Sequence, residues 1–411
     1  MSTEETATAP HAELEHHKTV FDGWRSISIG LYMALAGYSV MVGMPALSVA
    51  WVKLLNFTEV QVGSVAGADL GGFALGSVIT AMLMAKVNRR ILTLAGILLA
   101  ITANALCLYY MTYEEVLYLR LLAGIGSGIC TAIALATLGG SSHPARAFTM
   151  LLFAFAFTQG GEAQLLPILS MDGIYYFFIS FSVIGLLFLH WIPPHASKDI
   201  TDVDVDVIDK QGIHHHIHKH VPPYVPWMSL VAIFFIYTSI GGYWAYIKLA
   251  NLSLGLEGDA IDEVIAWASY VSVFGCLVTT FIANRIGMAK PLIIVLLCMV
   301  FVDSMMVGNM TIILLLLNII LFNLLWVFID VYQMGTMSNF DPTGRFVALI
   351  VAAQGLGNFI GPNIASSILD NNFGYDGVFI MCAIAALMAM LVFGLMYIRL
   401  RRVIPSLADA S

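Results

Sequence analysis

The sequence predicts an all-α, polytopic membrane protein in which twelve transmembrane helices form two pseudo-symmetric six-helix bundles. Hydrophobic residues make up 59% of the 411 residues and charged residues only 11%, a balance outside the range of water-soluble domains. The apolar stretches are continuous rather than alternating, which favours helices over the strands of a membrane barrel. Each approaches the ~20 residues that a helix needs to cross the hydrocarbon core.

Six apolar stretches precede a polar segment and six follow it, which gives the chain two halves of similar build. The predicted spans of the first half are 26–50, 60–85, 91–111, 113–138, 146–170 and 173–192. Those of the second half are 227–252, 261–284, 290–308, 311–335, 343–369 and 375–398. We therefore divide the chain into an N-terminal tail (1–23), a first bundle (24–192), a linker (193–226), a second bundle (227–400) and a C-terminal tail (401–411).

The distribution of lysine and arginine predicts the orientation, because cytoplasmic loops of membrane proteins retain these residues. Placing both termini in the cytoplasm puts 15 of the 18 basic residues inside, while the outer loops are mainly acidic. The first 23 residues lack the apolar core of a signal peptide, so we expect no cleavage. We expect a multi-pass protein of a bacterial cytoplasmic (inner) membrane.

The composition also argues against several classes of function. The formal charge of −8 arises largely in the loops and the linker and gives no reason to expect nucleic-acid binding. All five cysteines fall inside predicted spans without a CxxC pair, so a disulfide framework is not expected. We find no phosphate loop, nucleotide motif or nucleophile constellation. We therefore predict neither an enzyme nor a cofactor, and we expect a monomer in the lipid bilayer.

An internal repeat supports two related halves. The fifth span contains Gln159-Gly160 followed by Pro167, and the eleventh contains Gln354-Gly355 followed by Pro362 at the same interval. The offset between the two copies is 195 residues. Two similar bundles of this kind imply a cavity between them.

The loops after spans two and eight form a second repeat, with an offset of 199 residues. Both resemble the loop between helices two and three of the major facilitator superfamily, whose pattern is Asp-Arg-x-Gly-Arg-Arg/Lys. The matching residues are Lys86, Arg89 and Arg90 in the first copy and Arg285 and Gly287 in the second. In the superfamily this loop helps to latch the inward face, so the resemblance assigns gating to Lys86, Arg89, Arg90 and Arg285.

The two loops depart from the superfamily pattern at Ala85, Asn88 and Asn284, which replace two acidic residues and a glycine. A further match lies in the fourth span, where Arg120, Gly124 and Gly126 reproduce an Arg-x-x-x-Gly-x-Gly motif. The resemblance therefore covers the whole chain and implies a secondary transporter that moves a small-molecule substrate by alternating access. It does not indicate the substrate, because these motifs serve packing and gating in members with different cargoes.

Ionisable residues inside spans are informative, because a charge there costs ~2.5 to 3.5 kcal/mol on insertion scales and should face a partner or a polar cavity. Four of them come out at a similar depth, which predicts one shared site. We expect Asp303 to be structural, paired with Ser304, Asn309 or backbone. Away from the ends of the spans, the charged residues are Asp69, Arg120, Glu162, Lys248, Asp303 and Asp330, of which the first four share that depth.

We predict that Glu162, Asp69 and Arg120 couple transport to protons. Burial disfavours the charged form of Glu162 and a neighbouring Arg120 favours it, so this carboxylate could load and release a proton. The resemblance adds that the helix-four arginine of the superfamily is often linked to proton coupling. For Asp69, a structural pair with Arg120 is an equal alternative.

The charged residues of the predicted substrate site lie on helices seven and ten. Lys248 and Asp330 could pair with each other, or Lys248 could meet an anionic substrate. A cavity that combined aromatic rings with Arg120 and Lys248 would suit an organic anion, although each ring could instead belong to an interfacial belt or to ordinary packing. The other predicted substrate-binding residues are Trp244, Trp326, Tyr32, Gln159, Gln354 and Asn358.

Small residues predict how the helices pack and bend. Glycines spaced four apart, such as Gly72 and Gly76, let helix backbones approach closely. Proline lacks a hydrogen-bond donor, so we predict that Gly361 and Pro362 bend helix eleven and act in gating.

The linker carries a run of histidines after five aspartates. Imidazole groups in such a run can bind zinc, nickel or copper. We favour a flexible, pH-responsive linker over a metal sensor, and metal transport is the remaining alternative. The histidines concerned are His214, His215, His216, His218 and His220.

Three functions stay open on sequence alone. The leading hypothesis is proton-coupled uptake (symport) of an organic anion. The alternative is a proton-coupled efflux antiporter for drugs or metabolites, although residues 159–164 lack the Gly-Pro-x-x-Gly-Gly-like signature that many superfamily drug exporters carry. The third is a receptor-like membrane protein that does not transport, against which the set of buried charges argues.

Overall fold

The computed structural model describes residues 20–84, 86–141, 144–194, 206–208, 214–216, 222, 224–286, 289–308, 310–340 and 345–403. Most of the described chain is α-helical, which confirms the predicted all-α fold. The helices of the first half are α1 (Trp24–Val42), α2 (Met44–Leu55), α3 (Glu59–Leu83), α4 (Arg89–Leu106), α5 (Tyr113–Gly139), α6 (Pro144–Leu165) and α7 (Met171–Leu187). Those of the second half are α8 (Tyr224–Ser253), α9 (Gly258–Ile286), α10 (Ala289–Ser304), α11 (Ile312–Phe340), α12 (Arg345–Asp370) and α13 (Gly374–Val403).

Each predicted span overlaps one helix except the first, which overlaps both α1 and α2. The break lies at Gly43, and Pro45 follows in the first turn of α2. Because proline has no backbone donor, it leaves a carbonyl of the preceding turn without its helical partner. Within the described ranges, seven helices are by themselves long and apolar enough to cross a membrane.

Part of the linker forms a short antiparallel hairpin of β1 (Asp206–Ile208) and β2 (His214–His216), with Asp206 opposite His216. His218 and His220 lie outside the described residues. The metal-binding interpretation of this run therefore stays a prediction.

Side-chain caps fix where two important helices begin. Thr58 and Gln61 form a capping box at the start of α3, and Thr112 and Glu115 form another at the start of α5. Each box satisfies backbone N–H groups that the first turn of a helix leaves without partners. The register of the charged residues carried by α3 and α5 follows from these starts.

Glycines bring α3 and α5 into backbone contact. A Cβ atom added at Gly72 or Gly76 would overlap the backbone of α5, and one added at Gly124 would overlap the carbonyl oxygen of Asp69. The predicted packing role of glycines spaced four apart is confirmed at this interface.

The two halves meet along α3 and α12 and along α6 and α9. At the end where α3 begins and α12 ends, the hydroxyl of Tyr246 donates a 2.8 Å hydrogen bond to the carbonyl oxygen of Glu59. A Cβ atom at Gly63 would lie 2.7 Å from the carbonyl oxygen of Pro362. These contacts bring the first and second halves together at this end of the molecule.

Candidate functional site

A narrow, partly open cavity with a volume of about 30 Å³ lies between the two halves. Helices α1 and α6 of the first half and α8, α9, α11 and α12 of the second contribute its walls. The described residues that line it are Tyr38, Met41, Leu151, Leu152, Phe155, Gln159, Tyr237, Ser272, Asn323, Trp326, Val327, Asp330, Met334 and Gln354.

Apart from two tyrosines, Asp330 is the only acidic or basic residue among the described lining residues. The residue is 7% exposed, and its Oδ1 accepts hydrogen bonds of 2.7 Å from the Tyr237 hydroxyl and from Nε2 of Gln333. The described lining contains no lysine or arginine. A charged carboxylate in this position is held by neutral donors and has no counter-ion in the wall.

Aromatic rings form much of the wall around this carboxylate. Phe155 meets Trp326 edge-on at a centroid distance of 5.7 Å, and Tyr38 meets Phe155 edge-on at 5.9 Å. The indole Nε1 of Trp326 donates to the Tyr237 hydroxyl at 3.4 Å. Because Phe155 belongs to α6 and Trp326 to α11, these rings span the boundary between the halves.

Two glutamines of the sequence repeat line the same cavity. Gln159 and Gln354 are each 2% exposed, and Nε2 of each has no hydrogen-bond partner in the described part of the chain. Of the predicted substrate-binding residues, the cavity thus collects Gln159, Gln354, Trp326 and Asp330.

The other predicted substrate-binding residues are not among the residues that line the cavity, although Asn358 contacts one that is, Met41. Tyr32 donates to the carbonyl oxygen of Phe181 at 2.8 Å, and Asn358 donates to the sulfur of Met41 at 3.2 Å. The indole Nε1 of Trp244 donates to the carbonyl oxygen of Val42 at 3.0 Å, beside the break between α1 and α2.

Lys248 forms a salt bridge with Asp262 of α9. The predicted pairing of Lys248 with Asp330 is therefore wrong, since Asp330 is held by Tyr237 and Gln333 instead. Asp262 lies in the first turns of α9, within reach of Lys248 in α8.

Arg120 and Asp69 form a salt bridge inside the first bundle. The guanidinium also donates to Oδ1 of Asn104 at 2.7 Å, and it lies 5.9 Å from the centre of the Phe178 ring. Arg120 is fully buried, and its partners belong to α3, α4 and α7. Neither Arg120 nor Asp69 lines the cavity described above.

Glu162 lies apart from that pair. Its Oε1 accepts a 2.5 Å hydrogen bond from the Ser39 hydroxyl, and a Cβ atom at Gly43 would be 2.9 Å from its Oε2. The prediction of one site shared by four charges is therefore wrong. Arg120 pairs with Asp69, Lys248 pairs with Asp262, and the Glu162 carboxylate accepts a hydrogen bond from Ser39.

Asp303 is fully buried in the second bundle, and its Oδ2 accepts a 2.7 Å hydrogen bond from the Ser239 hydroxyl. The predicted pairing with Ser304 is wrong, because that hydroxyl donates to the carbonyl oxygen of Val300. Asn309 lies outside the described residues.

The predicted gating residues have different surroundings. Lys86 is exposed, Arg89 is buried with its guanidinium 5.3 Å from the Phe21 ring centre, and Nε of Arg90 donates to the carbonyl oxygen of Ile192 at 2.6 Å. Gly361 packs on the backbone of α8 near Thr238, and Pro362 continues α12. The side chain of Arg285, like Gly287, lies outside the described residues.

Sequence reasoning missed three residues that hold charged groups by hydrogen bonds: Tyr237 at Asp330, Asn104 at Arg120 and Ser39 at Glu162. All three are polar residues within predicted spans. Nothing in a single apolar stretch separates a hydroxyl that holds a carboxylate from one that bonds its own helix backbone.

Two transporters are among the solved structures that share the fold. One is the human organic anion transporter MFSD10 (TETRAN), with a TM-score of 0.64, 12% identity, and coverage of 90% of this chain and 98% of that one. The other is a point mutant of the nucleoside transporter NupG, with a TM-score of 0.60 and the same identity and coverage. Among curated proteins no sequence matches this chain. The sequence profile described as Major Facilitator Superfamily matches residues 29–343, and the chain therefore belongs to the major facilitator superfamily, as a multi-pass membrane protein with the fold of its secondary transporters.

Proposed function

We propose that this protein exchanges protons for a small organic cation across a bacterial cytoplasmic membrane, with Asp330 as the residue that binds either one. The observation that supports this proposal is a carboxylate on the wall of the cavity between the halves, with no lysine or arginine among the described lining residues. Asp330 is buried, and a buried carboxylate without a counter-ion favours a proton or a cationic ligand. Only one of the two can neutralise it at a time, which is the requirement for exchange.

The walls suit an organic cation better than the organic anion predicted from the sequence. That prediction depended on Arg120 and Lys248, and these two cations are paired with Asp69 and Asp262 away from the cavity lining. The faces of Tyr38, Phe155 and Trp326 can attract an ammonium group through cation–π interactions. The organic-anion and nucleoside transporters share only the fold, so their cargoes do not decide between these classes.

The contacts between α3, α8 and α12 fit an alternating-access cycle. If both termini are cytoplasmic, as the charge pattern predicts, the Tyr246–Glu59 hydrogen bond and the Gly63–Pro362 contact lie on the outer side. A state closed outside would release a proton from Asp330 to the cytoplasm and take up the cation there. Exchange in this direction exports the cation from the cell. One chain is sufficient for it, since both halves of the cavity belong to one protein.

Proton symport is the second candidate function. It is favoured by a second buried carboxylate, Glu162, at a place separate from Asp330. This carboxylate hydrogen-bonds Ser39 at the junction of α1 and α2, separately from Asp330. A proton on Glu162 and a substrate at Asp330 would not compete, so both could travel together. Under this candidate Glu162→Gln removes the pH dependence of transport, whereas under exchange Asp330→Asn removes it.

Proteoliposomes that contain a pH-sensitive dye test the proposal. Phenyltrimethylammonium is a suitable probe, because its permanent charge prevents it from crossing lipid as a neutral amine. We expect its entry to drive protons out of the vesicles in wild type and in Asp172→Asn, an exposed control, but not in Asp330→Asn. Proton entry together with the probe would support symport, and no proton movement with any organic cation, anion or neutral solute would contradict both candidates.

A further inference from the structure

We infer that Gln159 and Gln354 form a two-sided amide clamp that recognises a carbonyl group on the substrate, so that the cargo is an organic amine that also carries an amide or related carbonyl. The inference rests on the proposed function for the amine, which Asp330 binds. The carbonyl group of the substrate is inferred from the two glutamines and does not depend on Asp330. The protein would then select among amines by the presence of this second group.

In each half the Gln-Gly dipeptide has the same surroundings: its glycine contacts the opposite half and its glutamine lines the cavity. The glycine contacts the opposite half: a Cβ atom at Gly160 would lie 2.5 Å from Cε1 of Tyr270 in α9, and one at Gly355 would lie 2.7 Å from Cβ of Ala74 in α3. The glutamine before each glycine lines the cavity. Because each glutamine directly precedes its glycine, the glycine contact determines the position of the glutamine amide at the boundary between the halves.

The amides are costly to retain unless something binds them. Both side chains are almost fully buried, and neither Nε2 donor has a partner among the described residues. An unpaired buried donor loses its hydrogen bonds to water without replacement, and native proteins contain few such groups. Other buried side-chain atoms of the described residues also lack partners, but of the residues that carry such atoms only Gln159 and Gln354 are among the described residues that line the cavity. Two unpaired amides at equivalent positions of that wall indicate a ligand.

The chemistry of the wall specifies the ligand class. Each amide offers an N–H donor and a carbonyl acceptor, which complements an amide or carbonyl of the substrate. Asp330 offers only acceptor oxygens when charged and complements an ammonium group. Phe155 and Trp326 supply apolar ring surface in the same wall. An amine, an apolar or aromatic body and a carbonyl together match these three features.

Because one amide belongs to each half, a carbonyl held between them links substrate binding to the relative position of the halves. Opening of the boundary at Gly160 and Gly355 would separate the two amides and weaken their hydrogen bonds to the substrate carbonyl. Substrates with the carbonyl would therefore favour a state in which both glycine contacts are closed.

Binding of two matched probes to the purified protein tests the clamp. Phenylalaninamide and 2-phenylethylamine share the ring and the amine, and only the first carries a carbonyl. We expect wild type to bind phenylalaninamide about tenfold or more tightly, as two added hydrogen bonds allow. Gln159→Met and Gln354→Met should each lose about threefold to tenfold of that preference. Gln164→Met, on the exposed side of α6, should keep it.

Affinity of Gln164→Met for 2-phenylethylamine is the control for folding, and it should stay within about twofold of wild type. The two cavity variants are judged by the ratio of their affinities for the two probes. Equal affinity of wild type for the two probes, binding of neither probe, or an unchanged preference in both cavity variants would overturn the clamp. Failure of the proposed function looks different: the preference for phenylalaninamide would persist while phenyltrimethylammonium moved no protons in vesicles.

Discussion

The hydroxyl of Tyr237 in α8 donates a 2.7 Å hydrogen bond to Oδ1 of Asp330 in α11, inside the cavity that separates the two halves of the protein. This bond stabilises the charged carboxylate and fixes its direction, because hydrogen bonds to charged groups are about twice as strong as those between neutral groups. The bond connects α8 and α11, two of the four helices of the second half that contribute to the cavity wall.

Removing the hydroxyl should weaken substrate binding. Tyr237→Phe keeps the ring and takes away one of the two side-chain donors that hold the carboxylate, so a proton competes better with an organic cation. We expect the affinity for phenyltrimethylammonium at a fixed neutral pH to fall by about tenfold. Titration calorimetry on purified protein measures the change, and an unaltered affinity would show that the Tyr237 hydroxyl does not act on Asp330.

Arg120 should prove to be a structural residue of the first bundle. Arg120→Ala leaves Asp69 buried without its cation, and breaking a buried pair in this way costs about 3 to 5 kcal/mol. We expect a clear loss of thermal stability in detergent. If Arg120→Ala melts like wild type but no longer transports, the coupling role predicted from the helix-four motif is correct instead.

Lys248 should not take part in substrate selection. Replacing the whole pair with Lys248→Met and Asp262→Leu should preserve more stability than Lys248→Met alone, because the single change leaves Asp262 without its partner. The affinity for organic cations should stay within about twofold in both. A selective gain or loss for anionic probes in Lys248→Met would revive its predicted substrate role.

The close approach of α3 and α5 gives a sharp test of packing with a control on a neighbouring helix. A methyl group at Gly124 would overlap the Asp69 carbonyl oxygen, whereas one at Gly161 meets nothing within 4 Å. Gly124→Ala should therefore lower the yield of folded protein, or its melting temperature by several degrees, while Gly161→Ala should be neutral or slightly stabilising. Fluorescence-detected gel filtration after heating compares the two, and equal behaviour would contradict the tight α3–α5 interface.

The sequence predicted the helices well because each span is a long apolar run with polar ends. It missed the division of the first span at Gly43, since one glycine and one proline in an apolar run leave the overall pattern unchanged. The glutamines of the repeat could be found, because a duplicated Gln-Gly-x-x-x-x-x-x-Pro pattern stands out from its apolar surroundings.

The charge partners were harder to predict because a residue count gives depth along a helix but not rotation about its axis. Asp69, Arg120 and Glu162 came out at similar depths, yet Asp69 and Arg120 face each other across α3 and α5 while Glu162 meets Ser39. The glycines that allow α3 and α5 to touch are visible in the sequence, but which residues they bring together depends on how the helices pack.

The most direct test of the central claim is the proton balance when phenyltrimethylammonium binds to purified protein in weakly buffered detergent solution over a series of pH values. The probe carries no titratable proton, so any proton released comes from the protein. If Asp330 binds either a proton or the cation, wild type releases up to about one proton per cation bound at the acidic end of the series, and Asp330→Asn releases none. Equal release from wild type and Asp330→Asn, or binding with no release at any pH, would contradict exchange at Asp330.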